Sequence, residues 1–276
     1  LPLAESLDHV GPLTRSSADA GIVLQAIAGQ DDNDPTSLPD AVPDILAQID
    51  DGVKGIRIGL DEGYVGDGVD PQLSQAVLDG VKALEALGAQ IVNVKMPDVD
   101  KYLPGWPVLC TAEALAAHRE FYPSRRDDYG PYFGGWLDMG AKLTGADYAE
   151  ANVLRNECNG LVRLVFQDID VLACPSTIAP PHPVTLESLY GPRDENRGMA
   201  FQRFTVPYDF NGAPTLSLPC GLSSDGLPLS LQFVGKHLAE PLLCRIGNTY
   251  EQATNWNTLR PPVPSPHELV TPRIKY

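Results

Sequence analysis

The stretch from residue 55 to residue 96 limits the fold more than any other part of the chain. GIRIGL (55–60) alternates Ile56, Ile58 and Leu60, the period of a strand. Asp70 followed by Pro71 supplies an N-cap and then a proline at the first helical position, where a missing N–H costs nothing. Leu73, Val77, Val81 and Leu84 recur at helical spacing, and Gly88 stands where a helix-ending glycine belongs. AQIVNVKM (89–96) then sets Val92, Val94 and Met96 on one face. Strand, helix and strand in that order make a βαβ unit with a right-handed crossover expected, so at least part of the sheet is parallel.

The flanking segments extend this pattern. Residues 12–29 read as a helix with Ser16 as N-cap, an approximate capping box from Ser16 to Asp19, and Gly29 as its stop. The polar turn Gln30–Pro35 is rich in acids but lacks the ligand spacing of a calcium loop, so a solvated loop is expected. Residues 110–124 and 134–169 are expected to be mainly helical, the second stretch breaking near Thr144-Gly145 and restarting at Ala146-Asp147. IDVLACPS (169–176) reads as a buried strand that runs into a Pro-rich loop, Ser176 to Pro183. Ligands in open α/β sheets collect beyond the carboxyl ends of strands, which makes this loop a candidate pocket wall; a plain strand-stopping turn explains it equally well. TLSLPCG (215–221) and LPLSLQFVG (227–235), joined through Asp225-Gly226, carry a hairpin signature. The last helix is expected over 239–254, with Leu242, Leu243, Ile246 and Tyr250 on one face, and the tail from Pro261 is expected to be irregular. No repeat or linker divides residues 1–276, so the expectation is a single α/β domain. Its sheet should be mixed, mostly parallel and twisted, and flanked by helices.

Composition removes several classes of function. A net charge of −16 repels phosphate backbones and anionic lipid, so no nucleic acid and no membrane is expected as a partner. No apolar run approaches the roughly 18–20 residues of a membrane helix. The five cysteines, Cys110, Cys158, Cys174, Cys220 and Cys244, are odd in number and form no CxxC pair, which signals neither zinc nor redox chemistry and fits a reduced, cytoplasmic compartment. The chain opens without an initiator Met and without a basic leader, in what reads as mid-domain sequence. The expectation is that an N-terminal portion lies outside it.

The residues alone yield no convincing catalytic set. The G-x-S-x-G elbow of a serine hydrolase is missing, and the nearest run, Gly221 to Gly226, lies in the expected hairpin turn. Cys174 ends a strand eight residues before His182, but a buried cysteine is by default inert. His9 directly follows Asp8, and neighbours in an extended chain point apart, so His9 reads as structural. No H-E-x-x-H motif, P-loop or G-x-G-x-x-G occurs, and Gly63 to Gly68 has the wrong spacing, so neither metal nor cofactor is expected.

Several segments in order nevertheless resemble the amidase-signature family. Ser6-Leu-Asp-His-Val-Gly-Pro12 with Thr14-Arg-Ser-Ser-Ala-Asp19 is similar to its S-x-D-x-x-G-P motif and helix start. Ile27–Asp31, Asp34–Ser37, Gly68–Pro71, Leu84–Gly88, Asp170–Pro175 and Phe204–Pro207 follow. The strongest block runs from Gly212–Pro219 through Gly226–Pro228 to Gln232–Gly235. The resemblance covers about residues 3–256 and implies an amide hydrolase whose Ser nucleophile, second Ser in a cis peptide and Lys base all precede the S-x-D-x-x-G-P motif. Here that motif starts at residue 6, so no catalytic residue is expected within this chain. Ser16-Ser17 and Ser223-Ser224 lack the glycine flanks and do not inherit the role.

What the resemblance leaves for this chain is pocket wall and scaffold. It places Ser6 and Asp8 beneath the Gly-rich loop of the family, with a local turn capped by Asp8 as the competing reading. It sets Thr177 and Ile178 toward the substrate cavity, along with the segment around Gln202, Thr205 and Tyr208. Trp136 falls where the amide-hydrolysing chain of the tRNA amidotransferase carries an arginine, and Gln202 where that chain carries an acid. A Trp cannot pair a carboxylate as an arginine does, which favours a stand-alone amidase acting on a more apolar small-molecule amide; core packing is the plain alternative for Trp136. Two other readings stay open: an amidotransferase component that works with protein partners, and a non-catalytic fragment or binding module. The isolated 276 residues are expected to be inactive and to associate with a missing N-terminal segment or with a second copy.

Overall fold

The computed structural model describes residues 3–34, 36–182 and 199–260. The end of the Pro-rich loop at Pro183 and the tail from Pro261 lie outside them. In chain order the helices are α1 (Ser17–Ile27), α2 (Glu62–Gly66), α3 (Pro71–Ala86), α4 (Gly105–Ala117), α5 (Pro131–Gly140), α6 (Gly145–Val165), α7 (Val206–Asn211) and α8 (Glu240–Thr254). The strands are β1 (Arg57–Leu60), β2 (Gln90–Asn93), β3 (Val171–Pro175), β4 (Thr215–Leu222) and β5 (Pro228–Gly235), ordered β2-β1-β3-β5-β4 in one sheet. β2, β1 and β3 pair in parallel, and β5 pairs antiparallel with both β3 and β4. Four strands therefore run one way and β5 alone is reversed, which gives the mixed α/β sheet.

Local chemistry accounts for most boundaries. The Asp70 carboxylate accepts from Gln72 N–H at 2.9 Å and Leu73 N–H at 3.3 Å, starting α3. At its other end Ala89 N–H reaches Leu84 O and Gly88 N–H reaches Glu85 O, with Gly88 at φ +99°. That pair of bonds needs a left-handed residue, which glycine supplies at low cost. Ser16 caps α1 by accepting from Asp19 N–H at 3.0 Å. Thr144 and Asp147 form a reciprocal capping box at the start of α6.

Of the two broad helical expectations, the first ends earlier than expected and the second breaks at Thr144-Gly145 as expected. The first is α4, ending at Ala117; the second divides into α5 and α6. The intervening turns are occupied by side-chain bonds of the α4–α5 connection, such as Arg126 Nη2 to Asp138 Oδ2 at 3.1 Å. The short α2, capped by Asp61, lies where the sequence offered only a Gly-rich run.

The core sits on both faces of the sheet. β3 is fully buried along its length, as are Ile58, Leu231, Phe233 and Val234. The α3 stripe Leu73, Val77, Val81 and Leu84 is buried, each side chain contributing about 1.5–3 kcal/mol. A Cβ at Gly80 would come within 2.9 Å of Leu231, so the glycine lets α3 lie close to the sheet. β1 and β3 are further tied by Asp170, which accepts from Arg57 N–H at 2.9 Å and from Arg57 Nη2 at 2.7 Å.

Candidate functional site

The antiparallel end of the sheet carries a half-open cavity of about 470 Å³. Residues from four places meet on it: His9 to Pro12 from the first loop, Trp106 from α4, Thr205 to Asp209 from α7, and Gly212 to Thr215 leading into β4. Leu24 of α1, Gln232 of β5 and Glu240 of α8 complete the wall.

A polar clamp fixes the first loop. Glu113 of α4 accepts from Ser6 N–H at 2.9 Å, from the Ser6 hydroxyl at 2.7 Å and from the Tyr148 hydroxyl at 2.9 Å. Arg155 of α6 donates to Ser6 Oγ at 2.9 Å, to Ser6 O at 2.8 Å and to Phe210 O at 2.8 Å. Ser6 thus joins the first loop to α4 and α6, and Arg155 carries the link on to α7. The Ser6 hydroxyl donates once and accepts once within this clamp. Asp8 accepts from Leu3 N–H at 2.8 Å and Ala4 N–H at 3.1 Å, the geometry of a locally capped turn.

With the loop held, His9 reaches Asp209 of α7: Nδ1 lies 3.0 Å from Oδ1. The same carboxylate accepts the indole N–H of Trp106 through its other oxygen. The Asp209 carboxylate holds the His9 imidazole above its usual pKa, against the opposing effects of partial burial and of Arg155. The side chain of His9 is 51% exposed and that of Asp209 23%, so the pair stands at the mouth of the cavity rather than in its floor.

The floor rests on a buried polar knot. The Tyr208 hydroxyl lies 3.4 Å from that of Tyr64 and 3.7 Å from Cys174 Sγ. Gln232 donates to Phe204 O at 2.8 Å and to Cys174 Sγ at 3.4 Å. Burial pushes the Cys174 thiol up to about 11, so the sulfur stays protonated and serves as packing rather than as a nucleophile. Burial likewise holds both tyrosine hydroxyls neutral.

The residues singled out from the sequence distribute as follows. Thr205 and Tyr208 line the cavity, Tyr208 with its ring, since its hydroxyl turns inward. Trp136 packs edge-on against Trp106 at 5.9 Å between ring centroids and so reaches the cavity through that neighbour. Gln202 ends a short 3-10 turn, accepts the Thr205 N–H at 3.1 Å through its carbonyl, and has a buried, unpartnered Oε1. Thr177 and Ile178 are half-buried after β3, the Ile178 carbonyl accepting from Asp70 N–H at 2.8 Å, away from this cavity. His9, read as structural, lies on the cavity wall. Trp106, Glu113, Arg155 and Asp209 carried no local signal, because their partners stand about a hundred or more positions away in the chain for the contacts Trp106–Asp209, Ser6–Glu113, Ser6–Arg155 and His9–Asp209.

Among the described residues, no hydrogen bond joins a Ser hydroxyl to a Lys ammonium. Ser176 and Ser217 bond each other at 2.9 Å, without a lysine partner. No group of three or more His, Cys, Asp or Glu side chains could hold a metal ion among the described residues, and none of their helices is long and apolar enough to cross a membrane.

Fold and site together define an α/β protein with a mixed sheet and a partly polar cavity beside its antiparallel end. The profile of the Amidase family matches residues 1–244, and the chain belongs to the amidase-signature family. It is 37% identical over 262 residues to an amidase of Pseudomonas putida, covering 94% of this chain and 56% of that protein. It is 32% identical over 283 residues to a glutamyl-tRNA(Gln) amidotransferase chain of Thermosynechococcus vestitus, covering 94% of this chain and 58% of that one. The crystal structure of a glutamyl-tRNA(Gln) amidotransferase chain from Thermotoga maritima superposes with a TM-score of 0.75 at 26% identity, over 91% of this chain and 54% of that one. A bacterial aryl acylamidase shares the fold at a TM-score of 0.76 and 23% identity, over 91% of this chain and 55% of that one. The chain therefore spans little more than half the length of these relatives.

Proposed function

We propose that the protein hydrolyses small, uncharged amides through a Ser-Ser-Lys mechanism, and that this chain supplies the wall and floor of the site. The nucleophilic Ser, the second Ser and the Lys come from the part of the family's length that these residues do not span. The observation that carries this reading is the cavity itself. Its lining comes mostly from segments that carry the family resemblance, the S-x-D-x-x-G-P loop, the run from Thr205 to Asp209 and the start of the strongest block at Gly212–Thr215, yet no described Ser–Lys pair stands in it. In such a site the Lys takes the proton from the serine hydroxyl, the serine attacks the amide carbonyl, and fixed N–H donors hold the developing oxyanion. Ser6 and Asp8 act as supports for that machinery, not as its reacting groups. Trp106, backed by Trp136, gives the substrate an apolar neighbour, joined by Thr205 and Tyr208, with Gln202 bracing Thr205 from behind; Thr177 and Ile178, which the resemblance set toward the cavity, stand away from it and are left out of the site. The five buried, unpaired cysteines agree with a cytoplasmic home.

The test is an assay of the full-length protein and of the 276-residue chain on neutral aliphatic and aryl amides. Turnover by the first and none by the second is expected; robust turnover by the 276-residue chain overturns the proposal. The identity of 32% to an amidotransferase chain motivates a second reading, a glutamine-dependent component working with partners. Glutaminase activity seen only when partner proteins are added would replace the first reading with the second.

A further inference from the structure

Resting on the amide-hydrolase reading, the geometry points to His9 as the substrate-reading residue of this cavity: clamped by Asp209, its Nε2 offers an N–H to a neutral acceptor oxygen, a ketone or amide carbonyl, on the substrate. His9 belongs to neither the nucleophile nor the base of the proposed reaction.

Three observations carry this. First, the ring is oriented. Asp209 accepts from Nδ1 at 3.0 Å, and the Trp106 indole N–H bonds the other carboxylate oxygen, so the carboxylate cannot swing away without breaking both contacts. An imidazole so held has one nitrogen committed and one left to present. Second, the other ring nitrogen sits against the cavity wall. Nε2 lies 3.8 Å from the position a Cβ would occupy on Gly212, a cavity-lining residue at φ +67°. Glycine there is favoured by the left-handed backbone that ends α7, and the 3.8 Å approach places Nε2 on the cavity lining. Third, the loop that carries His9 is itself braced by Ser6, Glu113 and Arg155, so ordering the ring costs little entropy on binding.

The charges around the ring decide what it reads. Asp209 faces it from α7 and Arg155 from α6; Asp8 precedes it in the chain, and Glu240 stands on the cavity wall at the start of α8. The imidazolium charge is balanced by Asp209, and Glu240 makes the remaining wall negative. A carboxylate on the substrate is therefore repelled, and a neutral carbonyl is the acceptor that fits. Trp106, Val206 and Pro214 receive the apolar portion of such a molecule. Because Nδ1 is given to Asp209, Nε2 donates only when the ring is protonated. Neutral His9 presents a lone pair instead, so recognition of the carbonyl weakens as pH rises through the raised pKa of the ring.

The experiment measures binding of three probes to the full-length protein by titration calorimetry: benzamide, para-acetylbenzamide and para-carboxybenzamide. Below the pKa of His9, para-acetylbenzamide should bind about tenfold more tightly than benzamide, the worth of one added hydrogen bond to a charged donor. The carboxy compound should bind no better than benzamide. His9→Ala should abolish the acetyl preference at every pH. His9→Gln, which keeps a non-titrating N–H, should retain it without pH dependence. Ring-nitrogen NMR shifts of His9 should move with para-acetylbenzamide and not with benzamide. Persistence of the preference in His9→Ala overturns the proposal, as does an equal loss for all three probes or tightest binding of the carboxy compound. Binding is read from the first injections and from the ring-nitrogen shifts, before product accumulates, so a protein that binds in this pattern but hydrolyses nothing refutes the hydrolase reading and leaves the role of His9 standing.

Discussion

Replacing Arg155 by Met keeps the aliphatic stem and removes the guanidinium. The side chain makes three donations, at 2.9 and 2.8 Å to Ser6 Oγ and O and at 2.8 Å to Phe210 O. Counted at full value, bonds to a charged donor contribute about 1.5–3 kcal/mol each. Two features reduce that sum. Phe210 O retains a second donor, Asn159 Nδ2 at 3.1 Å, and Ser6 is exposed, so water takes over the groups that Arg155 leaves. The expected loss is about 1–2 kcal/mol, the range of a partly exposed network rather than a buried one. For a chain of this size that lowers the melting temperature by about 2–8 °C. Thermal unfolding followed by circular dichroism gives the first readout. The second is amide hydrogen exchange: Leu7 and Asp8 N–H, both bonded to Ala4 O, should exchange faster in the variant, while β3 amides change only with global stability. An unchanged melting temperature together with unchanged exchange at residues 7 and 8 would show that the clamp does not hold the loop, and the orientation of His9 would lose its cause.

Three further outcomes are expected. A Cβ at Gly247 would overlap Ser17 Oγ and Leu216 Cδ2, so Gly247→Ala should destabilise by about 1–3 kcal/mol in a denaturant melt, and an unaffected midpoint would mean α1 and α8 are not packed as described. Burial raises all five thiols to about 11 or 12, so iodoacetamide at about pH 8 should leave every cysteine of the folded protein unmodified; prompt alkylation of Cys174 contradicts its placement. The folded pKa of His9 lies above its unfolded value, so the stability it adds is complete below about pH 6.5 and fades as pH rises through the folded value. Asp209→Asn should flatten that dependence in melts run from about pH 6 to about pH 8, and a slope identical to the parent's would exclude the pairing.

The sequence made elements legible where one residue decides a boundary. Asp70, Pro71 and Gly88 bracket α3 through bonds that involve only their own neighbours, and Asp225-Gly226 closes the β4–β5 hairpin in the same local way. The break at Thr144-Gly145 was readable because a capping box is written within four residues. The α4–α5 connection was not readable, since its form is held by cross-turn contacts of Arg126 and Asp138, and helical periodicity runs through it. The site was harder for the same reason. Thr205 and Tyr208 lie on the cavity because they sit in a recognisable block. Asp209, Trp106, Glu113 and Arg155 matter through partners remote in the chain, and residue type alone gave no reason to pair them. His9 could be weighed only against Asp8 beside it, and its partner proved to be Asp209, 200 positions away.

The central claim is that these residues shape an amide-binding site whose reacting serine belongs to another part of the polypeptide. The most direct measurement is covalent labelling of the full-length protein with a fluorophosphonate, followed by mass-spectrometric mapping of the modified peptide. The account predicts a single labelled serine outside these 276 residues, with protection by a competing neutral amide. A label on Ser6, Ser176, Ser217 or any other serine of this chain would contradict it.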